Sequence, residues 1–441
     1  EYRTESPVIG SIASTLSFDA EDIKTTGANT FLEFLETIPS LGLYNPTGNV
    51  PAIFIRGNEA KHTLVLVDGV SINDTTSPDG AAGKGLTNVS LNDIEKIEIV
   101  KGVVSALYGS QAIAGVINII TKKGANGTHG TAGITYGTHN SKTYNTSISG
   151  GNKDGFIRFS HNESTTSGFN AMASDATQDK DGSSSQNTQI KAGNEYFNLA
   201  HSKAKNTQNY DRCWNGSATI DNCSSLSNSS KTLLNVNKKF NDEWKVKLSL
   251  AQTKNSLDTL HGLVSKSGDK SKNTSVILLN DIKINDALLT LGVSKIIEKN
   301  TTKNQTLSSK NLFVNFQKNI NTVDINTGAR EINHNNFGKK YVYNIGAAKP
   351  LGSGIKISGN YGTGFKAPTF YQFNGDDATN PSITPNPNLT PETSRYIELG
   401  VEKQLDWGVT SLKFYNNKVK NIVSYIGASC SDGSAILYLA P

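Results

Sequence analysis

The chain has 441 residues, of which 36% are hydrophobic and 18% are charged, and its formal net charge is only +5. Its apolar runs fall well short of the roughly 18 consecutive residues that a transmembrane helix needs, which excludes helical membrane spans. The composition excludes a disordered chain and a coiled coil, and the scattered lysines weigh against a basic patch for nucleic acid.

Up to about residue 125 the sequence predicts a small domain of mixed α and β structure. Apolar residues recur with helical spacing in segment 30–39, which predicts a short amphipathic helix ended by its proline. Ala52–Ile55 and Thr63–Val67 have the composition of strands. Segment 93–100 alternates apolar and charged residues, and Gly115–Thr121 is a further apolar run, so both are predicted strands.

After residue 125 the pattern changes to long segments with a period of two. In segment 244–251, Trp244, Val246, Leu248 and Leu250 alternate with polar residues or alanine, and segment 355–362 behaves similarly. A soluble β-sandwich would also alternate. However, roughly 300 residues follow without a domain break, and the polar faces carry Lys, Asn and Ser on many successive strands. A transmembrane β-barrel, with apolar side chains toward lipid, is therefore favoured.

Short motifs along the chain resemble those of the TonB-dependent outer-membrane transporters, in order and in spacing. Five of them resemble the family's plug domain: IFIRG (53–57), LVLVDG (64–69), IEKIEIVKG (94–102), ALYG (106–109) and AIAGVINIIT (112–121). Three resemble its barrel motifs: GFKAPT (364–369), NPNLTPE (386–392) and YIELGVE (396–402). Within the family, the short plug loops are most similar to those of the cobalamin (vitamin B12) receptors.

The resemblance implies a β architecture: a 22-stranded antiparallel transmembrane β-barrel over residues 125–441, with an N-terminal α+β plug domain over residues 1–124 inside it. At roughly 20 residues per strand and turn, residues 125–441 supply about 15 or 16 strands. We therefore expect the closing C-terminal strands and the TonB box to lie outside this chain. The resemblance also implies the bacterial outer membrane as location, and transport rather than enzymatic catalysis.

A set of ion pairs between plug and barrel is implied by the same motifs. Arg56 in the plug and Glu392 and Glu398 in the barrel fit this set, because a carboxylate inside the lumen requires a cationic partner. The family usually has arginine where this chain has Lys101, which loses bidentate geometry. A static anchor and a role in releasing the plug are both compatible with such pairs.

A calcium site in the loops is implied by resemblance to the cobalamin receptors. The matching positions are Asn170, Asp179, Asp181, Tyr210, Asp211 and Asp221. Oxygen-rich clusters of this kind suit Ca²⁺, although an EF-hand is excluded because its twelfth position would fall on Gln186 or Ile190. Asn170 stands where those receptors have aspartate, so weaker binding is expected there. A solvated acidic loop without metal is the alternative.

Two of the three cysteines, Cys213 and Cys223, bracket the same loop. In the oxidising surroundings of an outer-membrane protein, cysteines this close are expected to form a disulfide. The disulfide would hold Asp221 near Asp211. Cys430 is left without an assigned partner.

The transported ligand is predicted to be a metal chelate, with cobalamin favoured. Haem receptors of this family generally have a histidine between the barrel motifs GFKAPT and NPNLTPE, and segment 370–385 has none, so the resemblance disfavours haem. Ferric-catecholate receptors of the family tend to have longer plug loops with clustered arginines, which segment 73–85 lacks. A near-neutral corrinoid would instead be bound by hydrogen bonds. The predicted contacts lie on two plug loops and the barrel rim: Tyr44, Thr47, Asn49, Asp74, Thr75, Ser77, Asp79, Tyr371 and Phe373. A ferric siderophore or haem receptor of the same family is the alternative.

As partners, the resemblance implies TonB with its inner-membrane energising complex, the ligand, the lipid bilayer and lipopolysaccharide, around a monomeric receptor. It also allows a surface lipoprotein that captures the ligand. A barrel enzyme is disfavoured because the histidines are dispersed, and a porin or adhesin would have no use for a plug.

Overall fold

The computed structural model describes residues 12–45, 50–170, 172, 179–214, 219–262, 264–374, 383–384, 386, 388–426 and 436–439. Among these residues no helix is both long and apolar enough to cross a membrane.

The N-terminal part contains short helices and strands in alternation. Its elements are β1 (Ser14–Asp19), α1 (Ala20–Thr25), α2 (Phe31–Glu36), β2 (Leu41–Tyr44), β3 (Ala52–Ile55), β4 (Thr63–Val67), β5 (Val70–Ser71), β6 (Ile94–Lys101), α3 (Ser105–Tyr108) and β7 (Gly115–Thr121), with 3₁₀ turns at Ala60–His62, Gly83–Asn88 and Leu91–Asp93. The strands predicted at Ala52–Ile55, Thr63–Val67 and Gly115–Thr121 are confirmed with their bounds. The helix predicted over 30–39 is shorter at both ends. Thr30 is its N-cap, with a hydroxyl that accepts a hydrogen bond from the Glu33 amide, and the helix ends at Glu36 with Thr37 as its C-cap, ahead of Pro39.

Five of these strands form the sheet of the N-terminal domain, in the order β1-β6-β7-β4-β5. β4 and β7 are parallel, whereas the other pairs are antiparallel. Helix α2 packs Phe34 into the core together with Ile55, Ile97 and Ile117, all of which are 0% exposed. The domain therefore has its own hydrophobic core.

The rest of the chain is dominated by one large antiparallel sheet of fifteen strands. These are β8 (Gly127–Gly137), β9 (Ser141–Asn152), β10 (Gly155–Thr166), β11 (Ser183–Gly193), β12 (Phe197–Tyr210), β15 (Cys223–Lys239), β16 (Trp244–His261), β17 (Val264–Ile284), β18 (Ala287–Asn300), β19 (Gln305–Ile320), β20 (Val323–His334), β21 (Gly338–Gly352), β22 (Ile355–Lys366), β24 (Glu392–Leu405) and β25 (Gly408–Lys420). Short elements lie in the connections: β13 (Cys213–Trp214), β14 (Thr219–Ile220), α4 (Phe370–Asn374), β23 (Ile383–Thr384), β26 (Ser424–Ile426) and β27 (Ile436–Leu439). The predicted domain boundary at 124/125 falls between β7 and β8.

Side chains of the large sheet alternate between its two faces, as β24 illustrates. On β24, Ile397, Leu399 and Val401 are 50%, 59% and 47% exposed, whereas Tyr396 and Glu398 are 2% exposed. The apolar residues thus face outward and the polar ones face the N-terminal domain. This is the alternation typical of a transmembrane β-barrel.

The two ends of the large sheet differ in the length of their connections. At one end, here called the short-turn end, neighbouring strands are joined by short turns such as 153–154, 285–286, 321–322, 353–354 and 406–407. At the opposite, long-connection end, segments 167–182, 211–222 and 367–391 join the strands. In outer-membrane barrels, short turns lie in the periplasm and long loops outside the cell.

The N-terminal domain is held within the curved sheet: the Arg330 guanidinium on β20 donates to the carbonyls of Ala106 and Leu107.

Candidate ligand-binding and plug-retention sites

Arg56 forms the first contact between the N-terminal domain and β24. It follows β3 directly and has a left-handed φ of 52°. Its guanidinium donates to the Glu398 carboxylate and to the Tyr396 hydroxyl, which itself donates to Glu398. The guanidinium also lies 4.4 Å from the centre of the Tyr415 ring. The pair is buried and supported by a second hydrogen bond and an aromatic face, as a stable buried ion pair requires.

Glu392 forms a second, separate cluster with the 3₁₀ turn before β4. Its carboxylate lies 3.0 Å from Lys61 Nζ and 2.6 Å from His62 Nε2, and it accepts a hydrogen bond of 2.8 Å from the Val423 amide. Burial disfavours the charged ammonium, but the charges of Glu392 and Glu59 outweigh it and raise the pKa of Lys61. Both carboxylate oxygens of Glu392 are therefore used by partners.

The predicted set of plug–barrel ion pairs is thus divided into two clusters, and Lys101 joins neither through an ion pair within 4 Å in the described structure. The Lys101 ammonium instead donates to Ser40 Oγ at 3.0 Å, inside its own domain. Burial lowers the pKa of Lys101, and the nearby Arg56 charge lowers it further. Because Arg56 already neutralises Glu398, a second cation there gains little.

Sequence reasoning missed several contacts that hold the N-terminal domain. Lys61 and His62 were among them, although two charged or polar side chains directly before a fully buried strand are a usable signal. Asp93 was another: its carboxylate lies 3.1 Å from the Arg158 guanidinium and accepts a 2.8 Å hydrogen bond from Asn162. The partners of Asp93 lie on β10, which no local pattern indicates.

Asp68, in the turn after β4, also contacts the barrel wall. Its carboxylate accepts hydrogen bonds from the Thr121 amide and hydroxyl and lies 3.1 Å from Lys191 Nζ. Burial alone would raise the pKa of Asp68, but the charges of Lys191 and Lys231 and the hydrogen bonds from Thr121 lower it. Asp68 therefore links this turn both to β7 of its own domain, through Thr121, and to β11 of the large sheet, through Lys191.

The predicted ligand-contacting loop at residues 74–79 lies at the long-connection end, against helix α4. The amide of Phe370 donates to the Thr75 carbonyl at 3.1 Å. Asp74 Oδ1 accepts from the Thr76 amide and hydroxyl, Ser77 donates to the Asp74 carbonyl, and Asp79 Oδ1 accepts from the Ala81 amide at 3.0 Å. Much of the polar chemistry of this loop thus maintains its own turns. We refer to residues 74–79 as the apical loop.

The other predicted ligand contacts lie in two places. Tyr371 and Phe373 are on α4, beside the apical loop, and the Phe373 ring meets the Phe337 ring edge to face at 5.5 Å. The ring centres of His334 and Phe337 are 4.9 Å apart, so His334, Phe337 and Phe373 form an aromatic row along the rim. Tyr44 ends β2 and is 59% exposed. Thr47 and Asn49 lie outside the described residues.

The predicted calcium ligands lie in neighbouring connections of the same end. The Asp181 amide donates to the Phe169 carbonyl, and the Asn209 amide to the Gly182 carbonyl, which extends the β11–β12 pairing past Ser183. This register places Asp181 beside Tyr210 and the buried Asp211. Asn170 and Asp179 lie in the same connection as Asp181. A disulfide joins Cys213 to Cys223, and Cys223 lies two residues after Asp221 in the sequence. Across the described ranges, no group of three or more His, Cys, Asp or Glu side chains is close enough to hold a metal ion.

Lys84 connects the N-terminal domain with this disulfide-bonded region. Its ammonium donates to Ser225 Oγ and lies 5.8 Å from the centre of the Tyr210 ring. Burial lowers the pKa of Lys84 from its ordinary value of 10.5 to about 8. Sequence reasoning did not identify this residue.

The lowered pKa of Lys84 predicts a dependence of stability on pH. Between pH 8 and pH 10.5 the unfolded chain keeps a proton that folded Lys84 has lost, so the free energy of unfolding should rise with pH in this range. Replacing Lys84 by Met should remove that rise, whereas Lys24→Met, at an exposed lysine, should retain it. Urea titrations of the three proteins at several pH values measure the difference. An identical slope in all three would contradict the assignment.

Family models of known proteins match almost the whole chain. The model described as the TonB-dependent receptor plug domain matches residues 7–116, and the model described as the TonB-dependent receptor-like β-barrel matches residues 118–438. The vitamin B12 transporter BtuB of Vibrio vulnificus strain YJ016 is 30% identical over 462 aligned residues, covering 96% of this chain and 69% of that protein.

Solved structures share the fold at lower identity. The siderophore receptor PirA of Acinetobacter baumannii aligns with a TM-score of 0.79 and 17% identity, over 98% of this chain and 76% of that one. A variant of the ferric enterobactin receptor PfeA of Pseudomonas aeruginosa aligns with a TM-score of 0.78 and 17% identity, over 98% and 75%. The N-terminal domain is accordingly the plug. The chain belongs to the TonB-dependent receptors, a family of outer-membrane transporters and not of enzymes.

Proposed function

We propose that this receptor takes up cobalamin, or a corrinoid close to it, across the outer membrane with energy supplied through TonB. The observation that carries this proposal is the 30% identity with a vitamin B12 transporter over 96% of the chain. The likeness to siderophore receptors, at 17% identity, concerns the fold alone. We further propose that the fifteen described strands belong to a closed barrel of 22 strands.

The charge of the ligand-facing end supports a neutral ligand. The apical loop carries Asp74 and Asp79 and contains no lysine or arginine. Burial raises the pKa of Asp74, and the nearby Asp269 carboxylate raises it further, so an added negative charge would be unfavourable here. A ferric catecholate is an anion and would be repelled, whereas a corrinoid with amide side groups would be hydrogen-bonded.

The aromatic residues of the rim favour a large, partly planar ligand. The aromatic row of His334, Phe337 and Phe373 lies next to the apical loop and offers apolar ring faces and edges. Aromatic surfaces with a few polar groups beside them are typical of small-molecule sites. His62 is not available as an axial ligand from this side, because it is buried against Glu392, which supports a corrinoid over haem.

Calcium is proposed to order the rim when it is bound. Asn170, Asp179, Asp181, Asp211 and Asp221 supply only oxygen donors, as a hard cation requires, and the register brings Asp181 beside the Tyr210–Asp211 pair. The bound ion would offset repulsion among these carboxylates. The Cys213–Cys223 disulfide would limit the movement of the loop that carries Asp221.

A titration with cyanocobalamin tests ligand and metal together. The purified receptor should bind it, and removal of calcium with a chelator should weaken binding about tenfold or more, which is at least 1.4 kcal/mol. The double variant Asp179→Asn/Asp181→Asn should bind as weakly with calcium as the wild type does without it. Tryptophan fluorescence or isothermal calorimetry provides the measurement.

A matched double variant, Asp154→Asn/Asp406→Asn, removes two carboxylates from the short-turn end and should behave as the wild type. Without calcium, the Asp179/Asp181 variant should bind as the wild type does. If the variant binds more weakly than the wild type by the same factor with calcium and without it, the metal site is contradicted. No binding of cyanocobalamin under any condition would discard the corrinoid and leave the family assignment intact. Ferric siderophores would then be titrated in its place.

A further inference from the structure

Lys366, at the end of β22, is a buried lysine without an ion pair in the described structure. It lies directly opposite Glu392 in the pairing of β22 with β24, and both residues are 1% exposed. Cβ atoms in directly opposed positions are about 4.5–5.5 Å apart, a distance that the long side chain of lysine can bridge. Nevertheless, no carboxylate of the described residues lies within 4 Å of the Lys366 ammonium.

The Lys366 ammonium extends toward the apical loop instead of toward Glu392. A Cβ added to Gly80, which directly follows the apical loop, would lie 3.8 Å from Lys366 Nζ. The nearest carboxylates of the plug have other partners: Asp79 Oδ1 accepts a backbone hydrogen bond of 3.0 Å, and Glu59 lies 2.8 Å from Lys61 Nζ. Lys366 is therefore a buried cation that the docked plug does not neutralise directly.

Glu392 has no room for Lys366 while the plug is docked. One of its oxygens lies 3.0 Å from Lys61 Nζ and accepts from the Val423 amide, and the other lies 2.6 Å from His62 Nε2. A further ammonium at this carboxylate would lie beside that of Lys61, and like charges at such a distance repel. Occupation of Glu392 by the plug thus keeps Lys366 away from its cross-strand neighbour.

Release of the plug changes which cations can reach Glu392. Lys61 and His62 belong to the plug and leave with it, whereas Lys366 and Glu392 both belong to the barrel wall. A buried carboxylate that loses its cationic partners is strongly destabilised. Lys366 can replace them by a change of side-chain rotamer alone, because the register of β22 and β24 already places it opposite.

We propose that Lys366 takes the place of Lys61 as the ion-pair partner of Glu392 when the plug is released. In the docked state Lys366 is a buried cation without a direct counter-ion, and in the released state it gains one. It therefore lowers the free energy required to detach the plug, and it acts as a positioning residue in transport without contacting the ligand. This rests on the TonB-driven transport proposed above but not on the identity of the ligand.

The experiment measures opening of the plug by hydrogen exchange at residues 60–67 of the detergent-solubilised receptor, with β24 and β25 reporting on the barrel wall. Lys366→Met should slow opening about tenfold, because the docked state loses an uncompensated cation and the released state loses an ion pair. Lys366→Gln should act in the same direction. Lys366→Arg keeps the charge and should open as the wild type does. A lysine that only supported the docked structure would give the opposite sign.

The matched control is Lys191→Met, at a barrel lysine that is 2% exposed and lies 3.1 Å from Asp68 of the plug. This variant should open faster than the wild type. In a Glu392→Gln background, Lys366→Met should slow opening much less than tenfold, because no carboxylate remains to be neutralised.

Two results would overturn the proposal. The first is faster opening in Lys366→Met and Lys366→Gln while protection in β24 and β25 is retained. The second is equal slowing by Lys366→Met with and without Glu392, since Lys366 would then act through its burial alone. A failed titration with cyanocobalamin would leave both measurements unaffected, so the two proposals can fail separately.

Discussion

Replacing Glu392 by Gln is expected to lower the free energy of unfolding of the plug by about 3–5 kcal/mol, the cost of leaving a buried charge without its partner. The carboxylate lies 3.0 Å from the buried Lys61 ammonium and 2.6 Å from His62 Nε2. Glutamine keeps the size of the side chain but not its charge. The 3₁₀ turn before β4 should therefore detach from β24 first.

The measurement is the urea concentration at which amides of residues 60–67 lose protection from hydrogen exchange. Protection in β24 and β25 reports separately on the barrel wall and should change little. Glu243→Gln, in an exposed turn at the short-turn end, is the matched control and should not shift the plug transition. Unchanged protection at residues 60–67 in the Glu392 variant would show that the cluster does not retain the plug.

Replacing Gly102 by Ala is expected to weaken the Arg56–Glu398 contact from a distance. Gly102 has a φ of +101°, and a Cβ there would lie 2.7 Å from the Tyr396 ring. Tyr396 is buried and hydrogen-bonded to both Arg56 and Glu398, so the ring cannot yield without disturbing the pair. Overpacking of this kind costs about 1–3 kcal/mol, in addition to roughly 1–2 kcal/mol for the left-handed backbone.

Gly27→Ala separates these two contributions. Gly27 has a φ of +72° and no atom within 4 Å of the added Cβ, so it carries the backbone cost alone. The stability of the plug, measured by the same exchange experiment, should fall further for Gly102→Ala than for Gly27→Ala. Equal losses would mean that Tyr396 adapts freely and does not transmit the substitution to the ion pair.

The strands and the faces of their residues could be predicted from the sequence, because they depend on local alternation. Ile397, Leu399 and Val401 face outward and Glu398 inward as period two requires. The family resemblance rested on several short motifs in order, and the one that contains Arg56 contributed for a similar local reason: it places a guanidinium directly after the short strand β3. Helix α2 was predicted too long because Pro39 was taken as its end, whereas Thr37 already caps it, and because Thr30 is its N-cap and not its first residue.

The partners of Glu392 could not be predicted in the same way. Lys61 and His62 precede it by more than 300 positions, and their approach depends on how the plug is seated within the sheet. The contacts of Asp93 with Arg158 and of Lys84 with Ser225 likewise depend on how the plug is seated within the sheet. Contacts of this kind follow from the docking of two separately folded units, which sequence periodicity does not describe.

By itself the sequence determined an alternating β chain, an N-terminal α+β domain and membership in a transporter family. Only the tertiary structure decided which residues meet, and the two carboxylates of β24 are the clearest case. In the sequence Glu392 and Glu398 belong to one predicted set of ion pairs, yet Glu398 meets Arg56 whereas Glu392 meets Lys61 and His62. A shift of one residue in the register of β24 would turn both carboxylates toward the outward face, because side chains alternate with a period of two. Register depends on pairing between strands, and the seating of the plug depends on that register, which is why the structure was needed to find these contacts.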